Sequence, residues 1–204
     1  MAEERAPDDG FTLVELLVAV IVGGIVLAIL GGFLVSSLQA DRELRGLNAA
    51  TSRGELALDA MRTTLQSAAA PMGIAPGAAA GDLVLRARVA GMSEGPLRWD
   101  CVAVYYDALA GELRMRRNVG DPSAPAGTVA TPDAAQLATW PVLADGVLPP
   151  LEGEVFAFRG GGSGADPSRI EIAFRIDAGG LGAPEFATSI VARSEQSGGV
   201  ACVP

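Results

Sequence analysis

The chain has 204 residues, a formal net charge of −9, 15 basic residues that are all arginine, and no histidine. That balance argues against nucleic acid as a partner, because phosphate binding needs clustered cations, and the missing histidine removes most zinc and Ser-His-Asp chemistry. An apolar content of 50% with 26 glycines and 13 prolines describes a membrane-type segment joined to a loop-rich domain with enough chain for one packed core.

Residues 1–10 are a short acidic flank, with Glu3, Glu4, Asp8 and Asp9 against the single cation Arg5. From Phe11 to Leu38 the only charged side chain is Glu15. As a helix this stretch would be about 40 Å long, enough to cross a hydrocarbon core of about 30 Å. It is too long for the apolar region of a secretory signal, usually about 7–15 residues, so a retained, single-pass membrane helix is expected over 11–38. Gly23, Gly24, Gly31 and Gly32 lie inside it, where small residues permit close helix approach. Counting cations alone, Arg42, Arg45 and Arg53 on the far flank would put that flank inside the cell.

Beyond Leu38 the pattern becomes amphipathic. Leu44, Leu47, Thr51, Gly54, Leu58, Met61 and Leu65 recur at spacings of three and four and mark one helical face, while Arg42, Arg45, Glu55, Asp59 and Arg62 occupy the others. The helix is expected to continue over 39–70, to about Ala69, and to stop before Pro71 and Gly73.

Residues 71–204 read as a β-rich domain. Met72 to Gly81 is expected to be a linker, and Leu83 to Val89 a strand. Asp100–Tyr106 and Glu112–Val119 flank the turn sequence D-A-L-A-G and predict a hairpin. Gly120 to Thr139 reads as a loop, and Val155–Phe158 as a short strand. Ile170, Ile172, Phe174 and Ile176 alternate with Glu171, Ala173 and Arg175, which is the period of a half-buried strand, and Phe186–Arg193 is its expected antiparallel partner. One long helix followed by antiparallel strands predicts an α+β fold in which the helix packs on an antiparallel sheet.

Few residues offer chemistry. Arg114, Arg116 and Arg117 are a small basic cluster that reads as a solvated strand face paired with acids. R-G-G-G-S-G, Arg159 to Gly164, lacks the G-K-[ST] of a phosphate loop and reads as a flexible connection. Trp99, Trp140, Tyr105 and Tyr106 read as core or sheet-face aromatics. No spacing of Asp and Glu matches a calcium loop or a paired-carboxylate site, so no catalytic residue, metal or cofactor is expected. Cys101 and Cys202 are an even pair; in an exported domain a disulfide between them can form, and two free thiols are the alternative.

The stretch G-F-T-L-V-E, Gly10 to Glu15, followed by an apolar helix, resembles the type IV prepilin signature shared by type IV pilins and the pseudopilins of type II secretion. The leader departs from the family pattern in reading A-P-D-D-G, where a basic residue usually precedes the glycine. The resemblance implies a pilin-like fold, cleavage by a prepilin peptidase between Gly10 and Phe11, N-methylation of Phe11, and a role for Glu15 in subunit assembly. It implies an inner-membrane subunit with an exported carboxy-terminal domain. Its partners would be other pilin or pseudopilin subunits, met through the amino-terminal helix, and an inner-membrane assembly platform driven by a cytoplasmic ATPase. V-L-A-D-G-V (142–147), V-Y-Y-D with G-E-L-R-M-R-R, and the final hairpin resemble PilW-type minor pilins and J-type minor pseudopilins, thought to prime assembly or to sit at the tip.

Elementary electrostatics gives Glu15 a purpose in that setting. An unpaired charge at membrane depth costs on the order of a few kcal/mol. Cleavage after Gly10 would create a charged amine on Phe11, and a neighbouring subunit's amine could remove the cost when helices stack with one axial offset. The competing reading of Glu15 alone is a solvated end residue at the lipid headgroups. The competing reading of the whole chain is a single-pass anchored, exported binding module that does not polymerise.

Overall fold

The computed structural model describes residues 12–91, 98–117, 131–159, 168–179 and 182–192, together with Cys202. The order of elements is α1 (Leu13–Leu65), β1 (Ala68–Pro76), β2 (Leu83–Gly91), β3 (Arg98–Asp107), β4 (Glu112–Arg117), α2 (Ala134–Leu137), β5 (Val142–Asp145), β6 (Val147–Leu148), β7 (Phe156–Phe158), β8 (Arg169–Ile176) and β9 (Glu185–Val191). This is an α+β fold, with a long amino-terminal helix followed by antiparallel sheets. The chain divides into two compact units, 1–45 and 46–204.

In the second unit, α1 buries Ala50, Gly54, Ala57, Met61 and Leu65. The spacing of four, three, four and four is that of one helical face. The expected face is corrected in part. Gly54, Met61 and Leu65 are buried as expected, but Leu47, Thr51 and Leu58 are only half-buried and Leu44 is exposed, while Ala50 and Ala57 fill the seam. Small residues win there because the helix backbone approaches the sheets closely. A Cβ on Gly46 would meet the carbonyl oxygen of Ala178 at 2.7 Å.

The helix also stops earlier than expected, at Leu65, and the chain enters β1 at Ala68. The first half of the stretch read as a Pro/Gly/Ala linker, residues 72–76, is therefore strand. Proline is tolerated because β1 is an edge strand, and Pro71 falls inside the register irregularity between Ala69 and Gly73.

The first sheet has the order β1-β2-β3-β4-β5, each strand antiparallel to its neighbour in sequence. Both of its faces are covered. On one, Leu85, Ala87, Val89, Val102, Val104, Tyr106 and Leu113 join Met61 and Leu65 of α1 in the main core. On the other, Val84, Ala103 and Tyr105 form a second cluster with Leu137 and Trp140. The region 120–139, read as loop, thus contains α2, which Asp133 and Gln136 close with a reciprocal capping box. Four residues are too few to show a helical period in the sequence.

The second sheet places β8 at its centre, with β6 and β7 on one side and β9 on the other. Ile170, Ile172, Phe174 and Ile176 are all buried, as the period-two pattern requires. The V-L-A-D-G-V stretch supplies β5 of the first sheet and the first residue of β6 of the second. Gly146, at φ +65°, makes the step between them. Val147 N–H then donates to Gly111 O at 2.8 Å, and Asp177 N–H to Gly146 O at 2.8 Å.

Candidate functional site

The helix of the first unit starts at Leu13 because Thr12 caps it. Thr12 O accepts from Leu16 N–H at 3.1 Å, and Thr12 Oγ1 accepts from Glu15 N–H at 3.3 Å. Glu15 is thereby in the first turn, where the helix dipole and the unpaired N–H groups favour a carboxylate. It is the one charged residue between Thr12 and Ala40. Its carboxylate has no hydrogen bond or ion pair among the described residues.

Around it, every large apolar side chain from Leu13 to Leu38 is exposed, from Leu13 at 81% to Val26 at 48%. A helix that is apolar all round and covered nowhere needs either lipid or other helices about it. By length and composition α1 can cross a membrane. Positions 23, 24, 31 and 32 have nothing within 4 Å of where a Cβ would stand, so these glycines relieve no contact among the described residues. At the far end of this unit, Asp41 and Arg45 pair at 2.7 Å across one helical turn. Gly10 and Phe11 lie outside the described residues.

In the second unit, Cys101 and Cys202 are joined by a disulfide, with Cα atoms 5.9 Å apart. It ties the carboxy-terminal region to β3, the central strand of the first sheet. The Arg114–Arg117 cluster is turned to structural use. Arg114 pairs with Glu112 and donates to the carbonyls of Leu137 at 3.2 Å and Trp140 at 3.0 Å. Arg116 donates to Thr139 Oγ1 at 3.3 Å, and Arg117 lies 3.8 Å from Asp100. Arg114 and Arg116 hold the α2 segment against the sheet, whereas Arg117 pairs β4 with β3. The side chain of Trp99 and residues 160–164 lie outside the described residues.

Two buried polar groups were not foreseen. Asp82 accepts from Tyr105 OH, from Ala79 N–H at 3.0 Å and from Ala108 N–H at 2.9 Å, and Tyr105 OH accepts from Ala78 N–H at 2.9 Å. This network joins the β1–β2 turn to the β3–β4 turn. Burial, then the hydrogen bond to Asp82, pushes the Tyr105 phenol up to about 12. Arg86 is 1% exposed between Gly73 and Ala103. Its Nη2 donates to Thr131 Oγ1 at 3.2 Å, and its Nε and Nη1 have no acceptor among the described residues. An even number of sheet positions separates Asp82, Arg86 and the apolar Val84, so alternation alone could have shown that all three share a face. It could not have shown that this face is covered.

Among the described residues no group of three His, Cys, Asp or Glu side chains is placed to hold a metal ion. Glu152, Glu154, Glu171 and Glu185 line an open groove of about 400 Å³ with Arg159, which pairs with Glu171.

Compared with known families, residues 5–31 match the model of the prokaryotic N-terminal methylation motif. The match spans Gly10, Phe11, Thr12 and Glu15 and supports a type IV pilin-like chain. No curated protein and no solved structure shows a significant match to the chain.

Proposed function

We propose that this chain, which carries the prokaryotic N-terminal methylation motif, is a minor pilin or pseudopilin subunit. In this reading a prepilin peptidase cuts between Gly10 and Phe11, Phe11 is N-methylated, and the mature chain waits in the inner membrane with its second unit exported. It then enters a type IV pilus or a type II secretion pseudopilus, where it primes assembly or sits at the tip. The V-L-A-D-G-V stretch and the final hairpin favour a PilW-like or J-type subunit. The activity is assembly, not catalysis.

One observation carries the reading. A single carboxylate, Glu15, has no partner among the described residues and sits on the first turn of a helix whose stretch from Leu13 to Leu38 is apolar and exposed on all sides. Lipid accommodates the apolar surface but not the isolated charge. A second helix with a free amine at its tip accommodates both. Extraction from the membrane exchanges helix–lipid contact for helix–helix contact at little hydrophobic cost. The ion pair between Glu15 and the amine of a neighbouring subunit sets the axial offset, because any other offset leaves two charges unpaired. The Cys101–Cys202 disulfide belongs to the same reading, as an exported domain can keep it.

The test is mass spectrometry of the chain recovered from surface fibres or pseudopili, paired with Glu15→Gln. The expected mature chain begins at methylated Phe11, and Glu15→Gln is expected to be processed but to enter filaments at least tenfold less, as loss of an ion pair worth about 1.4 kcal/mol or more implies. An intact Met1 in a chain that stays in the membrane would favour an anchored module that does not polymerise.

A further inference from the structure

We propose that Arg86 and Arg116 hold one small oxyanion, of the inorganic phosphate class, between the first sheet and the α2 segment. The site is independent of the assembly reading above.

The first observation is a row across the sheet. Gly73, Arg86, Ala103 and Arg116 are Cα partners in turn on β1, β2, β3 and β4. Directly opposed residues share a face, and with strands about 4.8 Å apart the two arginines stand about 10 Å apart at the backbone, with the methyl of Ala103 between them. Each reaches a threonine of the segment that covers the sheet. Arg86 Nη2 donates to Thr131 Oγ1 at 3.2 Å, and Arg116 Nη1 to Thr139 Oγ1 at 3.3 Å. Each hydroxyl, while accepting from an arginine, keeps its own O–H to donate to an anion.

The second observation is Arg86 itself. It is 1% exposed, and its Nε and Nη1 have no acceptor among the described residues. Burial pulls its pKa below the ordinary value, but an arginine keeps its proton in a protein. A cation enclosed in this way needs an opposite charge beside it. Asp82, Asp107 and Glu112, which share this face, are committed elsewhere. Asp82 accepts from Tyr105 OH and from the amides of Ala79 and Ala108. Asp107 accepts from the amides of Leu109 and Ala110, and Glu112 pairs with Arg114. On the neighbouring strands only Gly73 and Ala103 flank the guanidinium, and its donors are enclosed. A small ion suits that setting, and a peptide or a nucleic-acid strand does not. An oxyanion has several acceptor oxygens and so can take guanidinium N–H groups and hydroxyls together, which a halide does less well.

The experiment is denaturant unfolding of the full chain in detergent, with sodium phosphate exchanged for sodium chloride at constant ionic strength. The unfolding constant of the wild type is expected to fall as one site fills, by about a hundredfold when phosphate is about 100 times its dissociation constant. Hydrogen exchange at the amides of Leu137 and Ala138 is expected to slow in parallel. Arg116→Gln is expected to weaken phosphate binding about tenfold. Arg86→Met replaces the enclosed cation with an apolar side chain. It is expected to be indifferent to phosphate and, in chloride alone, at least as stable as the wild type. A wild-type chain indifferent to phosphate would overturn the proposal, because Arg86 would then own a counter-ion within the chain. Equal protection by chloride and phosphate would do the same. So would undiminished phosphate protection in either variant, and Arg116→Gln keeps that comparison open if Arg86→Met does not fold.

Discussion

The ring of Phe186 on β9 stands where a side chain on Gly54 of α1 would be, with ring carbons 2.3 Å from the position of an added Cβ. Phe186 is not free to retreat, because its ring is buried and stacks on Phe174 with centroids 5.6 Å apart. Gly54→Ala would gain about 1 kcal/mol in helix propensity. Overpacking is expected to cost more, about 1–3 kcal/mol, so the substitution lowers Tm of the full chain in detergent. Adding Phe186→Leu should recover part of the loss. Additive losses in the pair would show that the two residues do not press on one another.

The Asp82–Tyr105 bond predicts a stability profile at high pH. The Tyr105 phenol is held up to about 12, against an ordinary value of 10.0, first by burial and then by Asp82. The folded state therefore keeps a proton that the unfolded state has lost. This contribution is complete below pH 10 and disappears as pH rises from about 10 to about 12. Tyr106, also raised by burial, acts in the same direction, so the readout is a difference. Tyr105→Phe is expected to be less stable at pH 8 by about 1–3 kcal/mol, because the amide of Ala78 and the carboxylate of Asp82 each lose a partner. The gap to wild type should close toward pH 12. Denaturant unfolding at several pH values checks it, and a constant gap would show that the phenol is not protected.

Arg53 Nη1 lies 2.6 Å from Asp145 Oδ1 and links α1 to β5. That hydrogen bond holds the Asp145 carboxyl below its ordinary 3.8. A lowered carboxyl stabilises the fold above the unfolded value and ceases to do so as pH falls through the folded one. Both side chains are largely exposed, so the coupling is expected to be small, about 0.2–1 kcal/mol, and screened by salt. A double-mutant cycle with Arg53→Met and Asp145→Asn should give this coupling at pH 7 and none at pH 2. A coupling that survives acid would have to come from packing of the arginine stem.

The Cys101–Cys202 bridge closes a loop of 101 residues in sequence separation. Cross-linking so long a loop restrains the unfolded chain and is worth about 2–4 kcal/mol. Reduction, or the pair Cys101→Ala and Cys202→Ala, is expected to lower stability by that amount. Thiol titration of the unfolded, unreduced chain should find no free thiol, and two reactive thiols would refute the bridge.

Much of the fold was legible in the sequence, for reasons that are local. A run from Phe11 to Leu38 with one charge can only be a helix that seeks an apolar environment, whatever it meets later. The alternation from Ile170 to Ile176 admits one buried face and no other. The D-A-L-A-G turn joins two β-rich runs of matched length, which is why the β3–β4 hairpin could be placed. The spacing of Gly10, Phe11 and Glu15 was likewise on the surface of the sequence, and the matched motif over residues 5–31 rests on the same letters.

What failed were readings in which composition stood in for position. A run rich in Pro, Gly and Ala suggested a linker, yet at the edge of a sheet a proline costs no ladder bond and the first half of the run is part of β1. Leu44, Leu47 and Leu58 were expected on the helix seam beside Gly54, but only Gly54 of these four is buried, under Phe186, and Ala50 and Ala57 fill the places the leucines do not. Arg114 was read as a solvated cation paired with an acid; the pair with Glu112 is there, but the carbonyls of Leu137 and Trp140, more than twenty residues away, take it out of solvent. The sequence by itself determined the membrane-type helix, its lone acid and the strand faces, because these depend on neighbours along the chain. Only the tertiary structure decided which glycines make close contacts, where Tyr105 and Asp82 meet and that Arg86 is buried, because those are set by elements that come together in space and leave no period in the letters.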